Sequence, residues 1–175
     1  MENYVNAAVE QFRAILEEQI ARQRKMEKDN AYTDYKKLDK IIIGICGGDG
    51  IGPIISAESE RLLQFILKDE IAAGKIELRT IEGLTIENRI AHNKAIPDDV
   101  LAEIKSCDVL LKGPTTTPMG GTMESANVTL RRELDLYANV RPVSIPEEGI
   151  DWIFYRENTE GEYVLGSRGV DLPGM

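Results

Sequence analysis

The chain is 175 residues long, 42% hydrophobic and 29% charged, with a formal net charge of −9. That composition can build the core of one domain or a small pair, and its negative field argues against nucleic acid or an anionic membrane as a general partner. No apolar run approaches the roughly 18 residues needed to cross a bilayer.

The N-terminus lacks the basic start and apolar core of a secretory signal. Glu2, Glu10, Glu17 and Glu18 also set it apart from acid-poor transit peptides. Residues 4–28 are expected to form one helix, with Val5, Val9, Phe12 and Leu16 along a narrow stripe. That stripe fits a helix lying on its own chain and equally a helix docked on a partner. A polar connector, KMEKDNAYTDYKKLDK, follows it.

The globular part opens at KIIIGIC, residues 40–46, a continuous apolar run typical of a buried strand. GGDGIGP comes next, with Pro53 suited to the first turn of a helix. That helix is expected to reach about Asp69, with Ile54, Leu62, Phe65 and Ile66 available for its inner face. KIELRTIEG alternates as a strand, and two helices fill residues 85–106, the second opened by Pro97 with Asp98 and Asp99 at its positive end. DVLLKG is a further strand. The order strand, helix, strand, helix, helix, strand implies an α/β layer on a mostly parallel sheet.

In SANVTLRRELDLYANVRP, Leu130, Leu134 and Tyr137 are spaced to line the packed side of a helix, and Asn127 and Arg131 share an adjoining face. Pro142 then forces Arg141 into extended backbone. GIDWIFYREN and GEYVLGSRG are expected as two strands with a turn at 159–161. Cys46 and Cys107 are isolated, with no CxxC and no histidine beside them. Reduced thiols are therefore expected rather than a disulfide or a metal site, consistent with a cytoplasmic location.

Three stretches could carry chemistry. GGDGIGP could bring backbone N–H groups to a phosphate, but its glycines miss the GxGxxG register, and a tight strand-to-helix turn explains them better. KGPTTTPMGG presents Thr115, Thr116 and Thr117 at the end of a strand, where α/β proteins bind ligands; it reads equally as a polar surface loop. Arg131, Arg141 and Arg156 could converge on one small polyanion, since a planar guanidinium grips a carboxylate through two parallel hydrogen bonds; three unrelated salt bridges would look the same in sequence. The one histidine, His92, has no companion ligand and receives no role.

GDGIGP, KGPTTTP, SANVTLRRELDLYANVRPV and YRENTEGEYVLG together resemble the isocitrate and isopropylmalate dehydrogenases over about residues 40–169. The resemblance implies an α/β fold of that family, not a Rossmann fold, here incomplete and preceded by a helix. Behind the helix and connector of residues 1–39, it implies the first part of a large domain over 40–136 and the start of a small domain over 137–175. The pairing of Ser125 with Asn127 resembles the isocitrate branch, where isopropylmalate enzymes carry an apolar segment. By this resemblance Ser125, Asn127, Arg131, Arg141 and Arg156 would bind the carboxylates of isocitrate. Thr116, Thr117 and Asn127 would face the nicotinamide end of NAD or NADP, with Lys112 at the pocket edge. Tyr163 would be the catalytic acid that protonates the enol after carbon dioxide leaves.

The sequence stops at GSRGVDLPGM, whereas the family's catalytic lysine, its aspartate ligands for magnesium or manganese and its adenosine-binding segment come later. No metal ligand is therefore expected within this chain, and the chain alone is expected to be inactive. A complementing C-terminal chain, a truncated product and a non-catalytic carboxylate-binding subunit all fit, and a homo-oligomer would not supply the lysine. Homoisocitrate and tartrate enzymes have close versions of RENTEGEY. The preference between NAD and NADP is set outside these residues.

Overall fold

The computed structural model describes residues 2–28, 33–119, 123–161 and 170. These fall into two compact units, one containing the N-terminal helix and the other beginning at Lys37 and carrying every strand among the described residues. The first unit contains the 27-residue helix α1 (Glu2–Lys28), whose last turn carries Lys25 and Lys28 where cations favour the helix dipole. Val5, Val9, Phe12 and Leu16 are all exposed along it.

The second unit opens on β1 (Ile41–Cys46), followed by α2 (Gly52–Ile66), α3 (Lys68–Ala72) and β2 (Ile76–Thr80). Next come α4 (Ile86–His92), α5 (Asp98–Lys105), β3 (Val109–Lys112) and α6 (Ala126–Glu133). The strands form a parallel sheet in the order β2-β1-β3, with Ile43 opposite Leu78 and Val109, and Cys46 opposite Lys112. Its core is Cys46, Ile81, Leu84, Ile96, Val100, Ile104, Ala126 and Leu130, with Cys107, Leu110 and Leu134 against it. Gly44 lies where β1 meets that core, and a Cβ there would stand 2.7 Å from Ile81 Cδ1 and 2.9 Å from Cys107 Sγ. Both thiols are free, and burial pushes the Cys46 thiol up to about 11.

Two expectations are corrected. The large apolar residues of α2 face outward: Phe65 is 78% exposed and Ile54, Leu62 and Ile66 are exposed with it. The inner face is instead made of small residues, Gly52 and Ser56, because the helix crosses close to the backbone at Gly113. Tyr137 is not on α6, which ends at Glu133, with Leu134 capping it and Asp135 turning left-handed at φ 51°. The chain then forms β4 (Ala138–Ile145) and β5 (Ile150–Glu157), an antiparallel ribbon. The second strand expected after it lies outside the described residues.

Candidate functional site

The site is built at the C-terminal ends of β1 and β3, where two loops meet backbone to backbone. Asp49 N–H donates to Pro114 O at 2.7 Å, and Gly113 N–H donates to Cys46 O at 2.8 Å. Nothing larger than glycine fits between them. A Cβ on Gly48 would stand 2.1 Å from Pro114 O, and one on Gly113 would stand 2.0 Å from Gly47 O. Gly48 also needs a left-handed backbone, φ 74°.

Two buried charges fix this junction. Asp49 Oδ1 accepts from Ile86 N–H at 2.7 Å, and Oδ2 accepts from Thr116 N–H at 2.6 Å. Arg89, fully buried on α4, donates to the carbonyls of Ala95 (2.7 Å), Thr116 (2.6 Å) and Glu124 (3.2 Å). Burial lowers its pKa, and the charge of Asp49 partly opposes that. Neither residue was assigned a function from sequence. Asp49 offered a weak signal, an acid inside a glycine-rich turn. Arg89 offered none, because its partners are backbone carbonyls that leave no trace in sequence.

Against this frame stands a polar cluster. Lys112, the last residue of β3, donates from Nζ to Gly113 O at 2.5 Å and reaches Thr115 Oγ1 at 3.5 Å. Thr115 Oγ1 in turn donates to Asn127 Oδ1 at 3.4 Å. Burial lowers the Lys112 pKa; Cys46 and Asp49 oppose the shift, and the charges of Arg89 and Arg131 add to it. No hydrogen bond or ion pair holds the Arg131 guanidinium among the described residues. Its neighbour Arg132 is spent on Glu124 through bonds of 2.8 and 2.7 Å, and Glu124 also accepts from Thr129 Oγ1.

The residues singled out in the sequence thus fall into two groups. Asn127 on α6 is linked through Thr115 to Lys112, Arg131 stands one turn further along the helix with Ser125 at its N-cap, and Thr116 and Thr117 are exposed. The Ser125 hydroxyl makes no capping bond to the helix. Arg141 and Arg156 belong to the ribbon. Asn139 stands opposite Arg156 and Arg141 opposite Phe154, so strand alternation puts both arginines on one face. Arg141 Nε donates to Asn139 Oδ1 at 3.2 Å. Tyr163 lies outside the described residues. A crevice of about 260 Å³ opens between Gly47, Gly48, Pro53 and Ser56 on one side and Thr80 to Thr85 on the other.

An α/β layer with loop-borne polar groups at the C-terminal ends of parallel strands is the usual frame of a small-molecule enzyme site. The isocitrate/isopropylmalate dehydrogenase family profile matches residues 42–171, and the chain belongs to that family. It is 38% identical to the isocitrate dehydrogenase (NADP) of Caldococcus noboribetus over 144 residues, covering 77% of this chain and 32% of that protein. It is 39% identical over 139 residues to isocitrate dehydrogenase (NAD) subunit 2, mitochondrial, of Schizosaccharomyces pombe, covering 76% of this chain and 34% of that one. The crystal structure of a beta-decarboxylating dehydrogenase from Thermococcus kodakarensis (apo form) superposes with a TM-score of 0.58 at 32% identity, covering 69% of this chain and 35% of that one. The chain spans about a third of the length of the relatives it matches.

Proposed function

We propose that this chain supplies the substrate-binding portion of an oxidative decarboxylase that converts isocitrate to 2-oxoglutarate. The observation that supports this best is the hydrogen-bonded run from Lys112 through Thr115 to Asn127, with Arg131 one helical turn further along α6 and no carboxylate paired to it among the described residues.

In this assignment Arg131, with Arg141 and Arg156, binds substrate carboxylates. Ser125 and Asn127 hydrogen-bond the carboxylate that distinguishes isocitrate from an alkyl malate. Thr116, its backbone fixed by Asp49 and Arg89, and Thr117 present hydroxyls to the nicotinamide end of the cofactor, and Tyr163 delivers the proton to the enol. NAD or NADP, when bound, accepts the hydride from the secondary alcohol. Magnesium or manganese would be held by residues of a complementing chain and would supply Lewis-acid polarisation of the keto group as the neighbouring carboxylate leaves as carbon dioxide. Isopropylmalate, homoisocitrate and tartrate are the competing substrates of the same chemistry. Cys46 and Cys107 are free thiols, which fits a cytoplasmic location.

A second assignment is a carboxylate-binding regulatory subunit. It draws on a relative, 34% identical, named isocitrate dehydrogenase (NAD) regulatory subunit 3, mitochondrial, from Arabidopsis thaliana. One experiment separates the two. The tagged chain is recovered from its native cell with whatever co-purifies, and isocitrate-dependent NAD(P) reduction is measured with magnesium or manganese. Activity lost in Arg131→Gln at constant assembly supports the enzyme; a companion that is a complete dehydrogenase, still active with Arg131→Gln but no longer modulated by isocitrate, supports the regulatory subunit. Neither activity nor isocitrate binding in any assembly sinks both.

A further inference from the structure

Thr116 is held at both ends of its backbone by opposite charges. Its N–H donates to Asp49 Oδ2 and its carbonyl accepts from Arg89 Nη1, each at 2.6 Å. Both charges are anchored in α4: Asp49 through the N–H of Ile86, its first residue, and Arg89 as a residue of the helix itself. The same guanidinium reaches Glu124 O, immediately before Ser125. One buried side chain therefore ties together two segments, the threonine loop and the start of α6.

We propose that Arg89, with Asp49, is a positioning residue that sets the threonine loop against the start of α6. This rests on the dehydrogenase assignment above, in which the loop meets the cofactor and the helix meets the substrate. Arg89 is fully buried, with Nε, Nη1 and Nη2 each committed to a carbonyl, so it touches neither reactant and acts only through the segments it joins. The rigid fork matters. Three carbonyls from residues 95, 116 and 124 are met by one planar group, which the point-like ammonium of a lysine cannot reproduce. Hydride transfer depends steeply on the alignment of donor and acceptor, and a small misplacement costs about 100-fold in rate.

The test uses the full chain in the assembly recovered from its cell. Arg89→Lys is expected to lower kcat about 10-fold or more while KM for isocitrate stays within about threefold, the pattern of lost alignment without lost binding. In Arg89→Ala, added guanidinium ion is expected to restore part of kcat, which a merely weakened fold would not show. Arg89→Lys at the wild-type kcat, or Arg89→Ala with no response to guanidinium, overturns the proposal. Hydrogen exchange of the peptide containing Thr116, measured on the full chain alone, gives a readout independent of turnover. Faster exchange in Asp49→Asn and Arg89→Lys supports the grip, and exchange equal to wild type overturns it. A wild-type assembly that never oxidises isocitrate sinks the dehydrogenase assignment, and the exchange measurement still decides whether these residues fix the loop.

Discussion

Gly48 and Gly50 sit two residues apart in one turn, both in left-handed backbone, at φ 74° and 59°. Their surroundings differ. A Cβ on Gly50 would meet nothing within 4 Å, whereas one on Gly48 would run into the carbonyl of Pro114. Gly50→Ala is therefore expected to cost only the left-handed penalty, about 1–2 kcal/mol. Gly48→Ala must also separate the two loops, and a cost of about 3 kcal/mol or more is expected. Urea denaturation of the two variants measures the difference, and equal midpoints would show that the loops yield easily. The same scale shows what sequence hides. Arg131 and Arg132 are adjacent and chemically alike, yet the turn of α6 gives Arg132 to Glu124 and leaves Arg131 with no ion pair among the described residues. Only the direction of the side chains separates a structural arginine from a candidate ligand.

The existence and type of most elements could be read from residue patterns: the apolar run of β1, the proline-opened starts of α2 and α5, and the alternation in β2. The facing of α2 could not. A surface helix normally turns its large apolar stripe inward, and Ile54, Leu62, Phe65 and Ile66 form such a stripe. The approach of Gly113 instead demands small residues, so Gly52 and Ser56 take the inner face and the stripe is left outside. Ribbon β4–β5 poses a similar problem, with Trp152 and Phe154 in edge-to-face contact at 6.1 Å on a surface that is largely exposed. The candidate site was legible where the family motifs were. Its frame, Asp49 and Arg89, was not, because backbone partners are set by tertiary approach. If the α2 stripe is where a complementing chain docks, Phe65→Lys should shift the stability of the isolated chain by no more than about 0.5 kcal/mol. The same variant should lose its companion on co-purification. A large loss of stability with the companion retained would mean that the stripe serves the chain's own core.

The balance of charge in the whole chain bears on where a metal can go. The chain spans about a third of the relatives it matches, and among the described residues no group of three or more His, Cys, Asp or Glu side chains could hold an ion. The two acids beside the site are already committed. Asp49 accepts backbone N–H groups with both oxygens, and Glu124 accepts from Arg132 and Thr129. A divalent cation recruited to either would break bonds that hold the threonine loop or α6. Isocitrate should therefore bind the isolated chain through Ser125, Asn127, Arg131, Arg141 and Arg156, weakly and without regard to metal. Titration calorimetry is expected to give the same affinity in manganese and in EDTA, with no NAD(P) reduction in either. In a complemented assembly the affinity should rise with manganese, because the added carboxylates would come from the other chain. A manganese-dependent affinity in the isolated chain would place metal ligands within these 175 residues and remove the need for a partner to provide them.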